Sequence, residues 1–307
     1  MTPLSKPSST TLDSHNLTLP AACFHDTMAV FGDLSMLKSR SMAIAFALIG
    51  MTAVAHADDH SRLYRAQAIV TGTGAVNREL GFKDCLGRVL VRVSGDQRVT
   101  TENAFQAMLP RAGSFVATYS YHDRLEGIPI HDEQGTHDRP QDLTCIYMPD
   151  TIDQLLSTLG RKPWLSPRPK LAIFLVVRDA RRGFVLSRDS DESPYMIDAF
   201  EAAARPFAMA IIVPNKAMLV SRGLTATALA GTAQQELDTL AKTIGGDVAL
   251  AGSLVWSDRD LGWVADWSMT ENGKIHHWRI RGVSFDDAFR NAIAGAAQIA
   301  SGNGEPQ

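Results

Sequence analysis

The sequence predicts an α/β (α+β) fold in two small domains, the C-terminal one a mixed sheet with helices packed on it. Residues 171–177 form a continuous apolar run, which is typical of a strand buried on both faces. Asn272-Gly273 lies between two alternating segments, the strongest short signal for a β-hairpin. Strand and helix patterns follow one another as β-α-β-α-β-β-β-α from residue 171 onward, and this order favours a mixed sheet covered by helices.

The N-terminal half combines a few strands with amphipathic helices. Apolar periodicity and capping residues predict strands at 63–70 and 143–148, and helices from Asn77 to 93, from Thr101 to Pro110 and at 152–159. Residues 113–121 fit a helix or a strand equally well. Residues 123–141 are polar and predict a long loop.

A proline-rich stretch separates the two halves. Pro163, Pro167 and Pro169 exclude a helix interior or a central strand between residues 161 and 169. We therefore expect an N-terminal α/β domain at 58–162, a linker at 163–169 and a C-terminal α/β domain at 170–302.

The C-terminal half has the clearest patterns. They predict strands at 171–177, 208–213, 248–256, 263–269 and 274–281, and helices beginning at Ser193-Pro194, Thr232 and Ser284. Trp256, Trp263, Trp267 and Trp278 cluster in the last three strands. Alternation places Trp263, Ala265, Trp267 and Met269 on one face, which is either core under a helix or, if exposed, a binding patch.

A secretory signal is predicted at residues 36–57. Lys38 and Arg40 precede an apolar run at 42–54, and Ala55-His56-Ala57 is a small-x-small cleavage site. The run is shorter than the roughly 20 residues that a membrane-spanning helix needs. Residues 1–35 are either upstream of the true start, Met36, or a disordered tail. The mature protein is expected in the periplasm, or secreted, with no transmembrane span.

The net charge indicates which partners to expect, and the cysteine content indicates whether a disulfide can form. The chain has 30 basic and 33 acidic residues, a net charge of −3, whereas nucleic-acid binding needs a clustered basic surface. Nucleic acid is therefore not an expected partner. In an oxidising compartment, Cys85 and Cys145 form either a disulfide or two buried thiols.

No catalytic motif was found in the sequence. Thr71-Gly72-Thr73-Gly74 follows a strand, but Asn77 stands where a dinucleotide-binding loop needs its third glycine, so a plain turn is expected and no cofactor. His276 and His277 point to opposite faces of a strand, so a shared metal is not expected. The sequence thus favours a protein that is not an enzyme.

The long loop is the main candidate site, because long loops within compact domains are often functional. It is expected to bind a partner or to be structural, and its candidate residues are His131, Asp132, Glu133, Gln134, Gly135, Thr136, His137, Asp138 and Arg139. His131, His137 and Asp138 are weak candidates for a mixed nitrogen and oxygen metal site, although their spacing matches no established metal motif.

Several segments resemble known families. Residues 81–96 with Val93-Ser-Gly-Asp96, residues 127–140 with Asp132-Glu-Gln-Gly-Thr136, and Pro163-Trp164 resemble domain of unknown function 2066, a family of exported proteins of Gram-negative bacteria. That resemblance implies no activity and no catalytic residue. Residues 240–254 are similar to a helix-glycine-strand unit of the TolB amino-terminal domain, and this similarity implies binding to envelope proteins.

The leading hypothesis is a non-enzymatic exported protein that binds one or more envelope proteins. The alternative is a metal-binding protein or metal-dependent hydrolase that uses residues 131–138. The identity of the partner and the oligomeric state stay open.

Overall fold

Two separate sheets organise the chain. The structure is a computed structural model, and it describes residues 61–128, 138–189, 191–192 and 194–306. The two sheets and their helices all lie in one compact unit, Val54–Gln307. The predicted mixed α/β class is confirmed, including the mixed sheet of the second half.

The first sheet has three antiparallel strands in the order β1-β3-β2. Its strands are β1 (Arg65–Thr71), β2 (Val116–Asp123) and β3 (Pro140–Tyr147). The helices of this half are α1 (Ala75–Ser94), α2 (Asn103–Met108) and α3 (Pro149–Thr158), with 3-10 turns at Gln97–Thr101 and Leu109–Phe115. Alternate residues of β1 are buried, as expected of a sheet that is covered on one face. Phe82, Leu86 and Val89 of α1 belong to the same core.

The second sheet has six strands, ordered β5-β4-β7-β8-β9, with β6 paired to β4. The strands are β4 (Leu171–Arg178), β5 (Gly183–Val185), β6 (Ile211–Ile212), β7 (Val248–Ser257), β8 (Gly262–Glu271) and β9 (Lys274–Val283). Its helices are α4 (Pro194–Ala204), α5 (Lys216–Ser221), α6 (Ala226–Gly231), α7 (Gln234–Thr243) and α8 (Phe285–Ala300), with a 3-10 turn at Arg205–Phe207. β4 pairs in parallel with β6 and β7, and the other pairs are antiparallel.

Helices lie on both faces of this sheet. On one face Phe200 of α4 stacks on Phe289 of α8 with 3.9 Å between ring centroids, and Trp267 packs edge-on against both rings. On the other face Phe174 and Leu237 share a second core with helices α5 to α7. β4 is buried through its first seven residues, because both faces are covered.

The strongest local signals are confirmed. Asn272 and Gly273 have φ angles of 50° and 77°, as the turn of a tight hairpin requires. Ser284 caps α8, since its hydroxyl accepts a hydrogen bond from the Asp287 amide at 3.1 Å. Residues 113–121 divide into the end of a 3-10 turn and the start of β2.

Other boundaries differ from the prediction. α1 begins at Ala75, and Asn77 donates its side-chain amide to the Thr71 carbonyl instead of capping the helix. Thr101 ends a 3-10 turn, and Thr232 ends α6. The strand expected at 208–213 pairs only at Ile211–Ile212. Helices α5 and α6 and strand β5 were not predicted.

The proline-rich stretch is packed against both halves. Trp164 is buried, and its amide donates to the Val93 carbonyl at 2.7 Å. Arg168 lies over the Trp164 ring, 4.5 Å from its centroid, and donates to the carbonyls of Arg92 and Phe207. Through these hydrogen bonds the segment connects α1 to the second half. In the part of the chain that the structure describes, no helix is both long and apolar enough to cross a membrane.

Candidate functional site

The structure describes the end of the predicted loop site, Asp138 and Arg139. Residues 131–137 lie outside the described residues, and Asp138 and Arg139 follow them. Arg139 pairs with Asp123 at 3.3 Å, and its carbonyl accepts the Gly72 amide at 2.7 Å. A Cβ at Gly72, whose φ is +65°, would collide with the Asp138 carboxylate. The Gly72 turn and the end of the loop thus support each other.

The metal hypothesis for the loop stays a prediction. Among the residues that the structure describes, no group of three or more His, Cys, Asp or Glu side chains converges as metal ligands would. Elemental analysis of the wild-type protein beside the His131→Ala/His137→Ala variant tests the loop itself, and equal metal content in both would exclude these two ligands.

Cys85 and Cys145 are joined by a disulfide that links α1 to β3. Their Cα atoms lie 6.3 Å apart, and both residues are fully buried. This distance falls within the range that a disulfide spans. The bond fixes α1 on the three-stranded sheet.

The paired histidines and the tryptophans have separate environments. Nδ1 of His276 lies 2.8 Å from the Glu305 carboxylate, whereas His277 is exposed beside Ser268. Trp267 is buried under α8, as are Ala265 and Met269, and Trp263 is half-buried. Trp256 is 41% exposed and makes an edge contact with Trp263.

A buried ion-pair network around Asp96 was not predicted. α1 ends at Gly95, which takes the left-handed conformation (φ 73°) and places Asp96 directly beneath the helix end. The Asp96 carboxylate is fully buried. It accepts from Nε and Nη2 of Arg98 at 2.9 and 2.8 Å, and from Nε of Arg161 at 2.7 Å. Arg161 also binds Glu102 at 2.7 Å.

The network extends to the C-terminal tail. Nη2 of Arg98 donates to the Asn303 carbonyl at 2.7 Å, and the Asn303 amide donates to the Ser94 carbonyl at 2.8 Å. Burial alone would raise the pKa of Asp96, but the hydrogen bonds from Arg98 and Arg161 outweigh it and hold this pKa below its ordinary value. Asp96 therefore stays ionised and joins three parts of the chain: the end of α1, the proline-rich stretch and the tail.

A cleft of about 460 Å³ lies between the two halves. One wall is α1 with the residues that follow it, and the other is α4, the Arg205–Phe207 turn and the start of α8. Its apolar lining consists of Gly87, Val91, Phe105, Leu109, Ala199, Ala202, Ala203, Pro206 and Phe207. Its polar lining consists of Lys83, Asp84, Arg88, Gln97, Thr100, Asp286 and Arg290.

Both signs of charge occur on the walls of the cleft. Asp84 and Arg88 form an ion pair at 2.8 Å on α1, and Arg290 pairs with Asp287 at 2.5 Å on α8. Among the described residues that line it, none is a histidine, cysteine or serine. An apolar interior with charged groups on the walls is suited to binding and orienting an apolar group.

The cleft could only partly be found from the sequence. The sequence predicts the helix α1, but not that its Val91 packs with the core of the second half instead of the first. No sequence signal shows that α4 and α8 face it.

The comparisons with known proteins correct the expected resemblances. Residues 57–165 match the family described as "Domain of unknown function (DUF8605)". The resemblance to domain of unknown function 2066 is therefore wrong, and no comparison supports a likeness to TolB. The comparison with curated proteins and that with solved structures gave no match. The family match covers the three-stranded half and ends within the proline-rich stretch.

Proposed function

We propose that this chain is an exported protein that binds another envelope protein without catalysing a reaction. The signal pattern at residues 36–57 supports export to the periplasm. The observation that carries the binding proposal is the cleft between α1 and α4, because it offers apolar surface and charges of both signs in one concave site.

The partner surface that fits is the apolar side of an amphipathic helix. Val91, Phe105 and Phe207 would contact its apolar side chains. Burying one large apolar side chain contributes about 1.5–3 kcal/mol, so two or three such contacts would supply a large part of the roughly 4–15 kcal/mol that association costs, and charge pairs at the rim would add to it. Lys83 and Asp286, on opposite walls, would pair with charges that flank the apolar stripe.

Site-specific crosslinking from envelope fractions tests the binding site. A photo-crosslinking residue in place of Ala202, which is exposed and lines the cleft, should capture a partner. The same residue in place of Ala228, which is exposed on α6, is the matched control. The variant Ala202→Trp should fill the cleft and abolish binding of the captured partner, while Ala228→Trp should not. Equal capture at both positions, or equal binding by both tryptophan variants, would refute the cleft as the site.

Export is tested separately. The periplasmic protein should begin at Asp58, after cleavage behind Ala57, when its N-terminus is sequenced. Recovery of uncleaved chain in the cytoplasmic fraction would overturn this part of the proposal.

A further inference from the structure

β9 is an edge strand with a strongly basic side. It pairs with β8, and no other strand of the described chain pairs with it. Lys274, Arg279 and Arg281 are exposed on β9, and the strand contains no acidic residue. An edge strand of ten residues presents unpaired backbone amides and carbonyls that can add a further strand.

Three of the polar side chains lie on one face. His277, Arg279 and Arg281 alternate along β9 and are all exposed. Arg279 pairs with Asp266, its neighbour on β8. Arg281 lies beside Val264, and no carboxylate of the described residues contacts it. His277, Arg279 and Arg281 therefore bring two arginine charges to this face of β9, and only Arg279 has a carboxylate partner among the described residues.

The chain's own tail already brings a carboxylate to this strand. Glu305 binds Lys274 and, at 2.8 Å, Nδ1 of His276, both at the beginning of β9. The side-chain amide of Gln298 holds the tail there by donating to the Glu305 carbonyl at 2.5 Å. The start of β9 is therefore paired with an acid of the tail, whereas in the stretch from His277 to Arg281 only Arg279 pairs with a carboxylate of the described residues, that of Asp266.

We propose that β9 binds an acidic, extended segment of a partner protein, which adds to the six-stranded sheet as an outer strand. Side chains opposite one another on neighbouring strands lie about 5 Å apart at Cβ. Acidic residues at alternate positions of the added strand would therefore stand beside His277, Arg279 and Arg281. Backbone hydrogen bonds to β9 supply affinity, and the carboxylates supply selectivity. This surface is separate from the cleft, so the inference does not depend on the proposed function.

Basic residues on an edge strand also have a purely protective explanation, since they prevent edge-to-edge aggregation. The two explanations predict different behaviour. A protective edge repels every added strand, whereas a binding edge accepts one whose acids alternate. Only a binding edge predicts that affinity depends on the order of the acidic residues in a peptide of constant composition.

A pair of synthetic peptides provides the test. One alternates glutamate with valine and threonine, and the other has the same composition with the glutamates in one block. We expect the alternating peptide to bind at least about tenfold more tightly at low salt, and to weaken as added salt screens the charges. Hydrogen exchange of the β9 amides should slow in its presence. Equal binding of both peptides, or no protection of β9, would overturn the proposal.

Two variants sharpen the result. Arg279→Glu/Arg281→Glu should reduce binding by about tenfold or more, whereas the remote exposed pair Arg62→Glu/Arg111→Glu, with the same change in charge, should not. Glu305→Gln removes a negative charge from the start of β9 and should tighten binding of the acidic peptide about twofold to fivefold, through weaker long-range repulsion. Because this last variant predicts a gain, a damaged fold cannot imitate it. A loss with Glu305→Gln, or equal losses in the two arginine pairs, would refute the role of β9.

Discussion

Replacing Asp96 by asparagine tests the ion-pair network most directly. The change keeps the size of the side chain but removes the negative charge that Arg98 and Arg161 share. Breaking a buried ion pair by removing one partner costs about 3–5 kcal/mol, because the remaining charge is left uncompensated. The side chains of Arg98 and Arg161 are 39% and 20% exposed, so water can partly solvate both. We therefore expect a loss of about 3 kcal/mol, the lower end of that range.

Urea unfolding of the mature chain with its disulfide intact measures this loss. Asp179→Asn is the control, because Asp179 pairs with Arg182 at 3.4 Å on the surface and the substitution keeps a side-chain oxygen for the turn. The control should leave the unfolding midpoint within experimental error. A loss below about 1 kcal/mol for Asp96→Asn would show that the buried carboxylate adds no more than an exposed pair does.

The pH dependence gives an independent check. The pKa of Asp96 is lower in the folded chain than in the unfolded chain, so its contribution is complete above the ordinary value of 3.8. The contribution decreases as the pH falls through the folded-state pKa. The difference in unfolding free energy between wild type and Asp96→Asn should therefore be constant near neutral pH and shrink below about pH 4. A difference that grows toward acid pH would contradict the assigned direction of the pKa.

Three further outcomes are expected from the same unfolding assay. Cys85→Ala/Cys145→Ala should lower the free energy of unfolding by about 3–4 kcal/mol, because the disulfide closes a loop with a sequence separation of 60. Equal stability of reduced and oxidised wild type would contradict this expectation. Gly95→Ala should cost at least about 2 kcal/mol, because residue 95 has a left-handed backbone conformation and an added Cβ would lie 2.7 Å from the Trp164 ring. A neutral result would show that the helix end can rearrange. Ser284→Ala should cost about 1 kcal/mol by removing the cap of α8, and Ser284→Asn, which can cap equally well, should restore it.

The fold was predictable where the signal is local. The hairpin at Asn272-Gly273 depends on two adjacent residues that tolerate positive φ, and the start of α8 depends on one hydroxyl and the amide three residues later. The buried strand β4 can be recognised in the sequence, because every residue except the last is buried and apolar. None of these features needs information from a distant part of the chain.

Errors arose where tertiary contacts decide the structure. The apolar stretch at 208–213 resembles a strand, but Ala208 takes a left-handed conformation with a φ of 52°, and only Ile211–Ile212 reaches β4. Met209 is buried in the core of the second half without pairing to a strand. The short helices α5 and α6 have too few residues for a periodic signal, and β5 has three.

The Asp96 network could not be derived from spacing. Val93-Ser-Gly-Asp96 is a distinctive segment of the sequence, but Arg161 and Asn303, which bind it, lie 65 and 207 residues beyond Asp96. The arrangement gives the motif a physical reason: the glycine turns the chain left-handed at the end of α1, and this turn delivers the carboxylate to two arginines.

The network and the cleft are mechanically connected. Gln97 and Thr100, which line the cleft, belong to the 3-10 turn that Asp96 caps through the Arg98 amide at 3.0 Å. Weakening the hydrogen bonds of the Asp96 side chain should therefore displace one wall of the cleft before the chain unfolds. Under conditions where Asp96→Asn remains folded, partner crosslinking from Ala202 should fall, whereas Asn215→Ala, which removes the cap of α5, a helix that does not line the cleft, should leave it unchanged. If both variants reduce crosslinking in proportion to their loss of stability, the network has no specific effect on the cleft, and its role is stability alone.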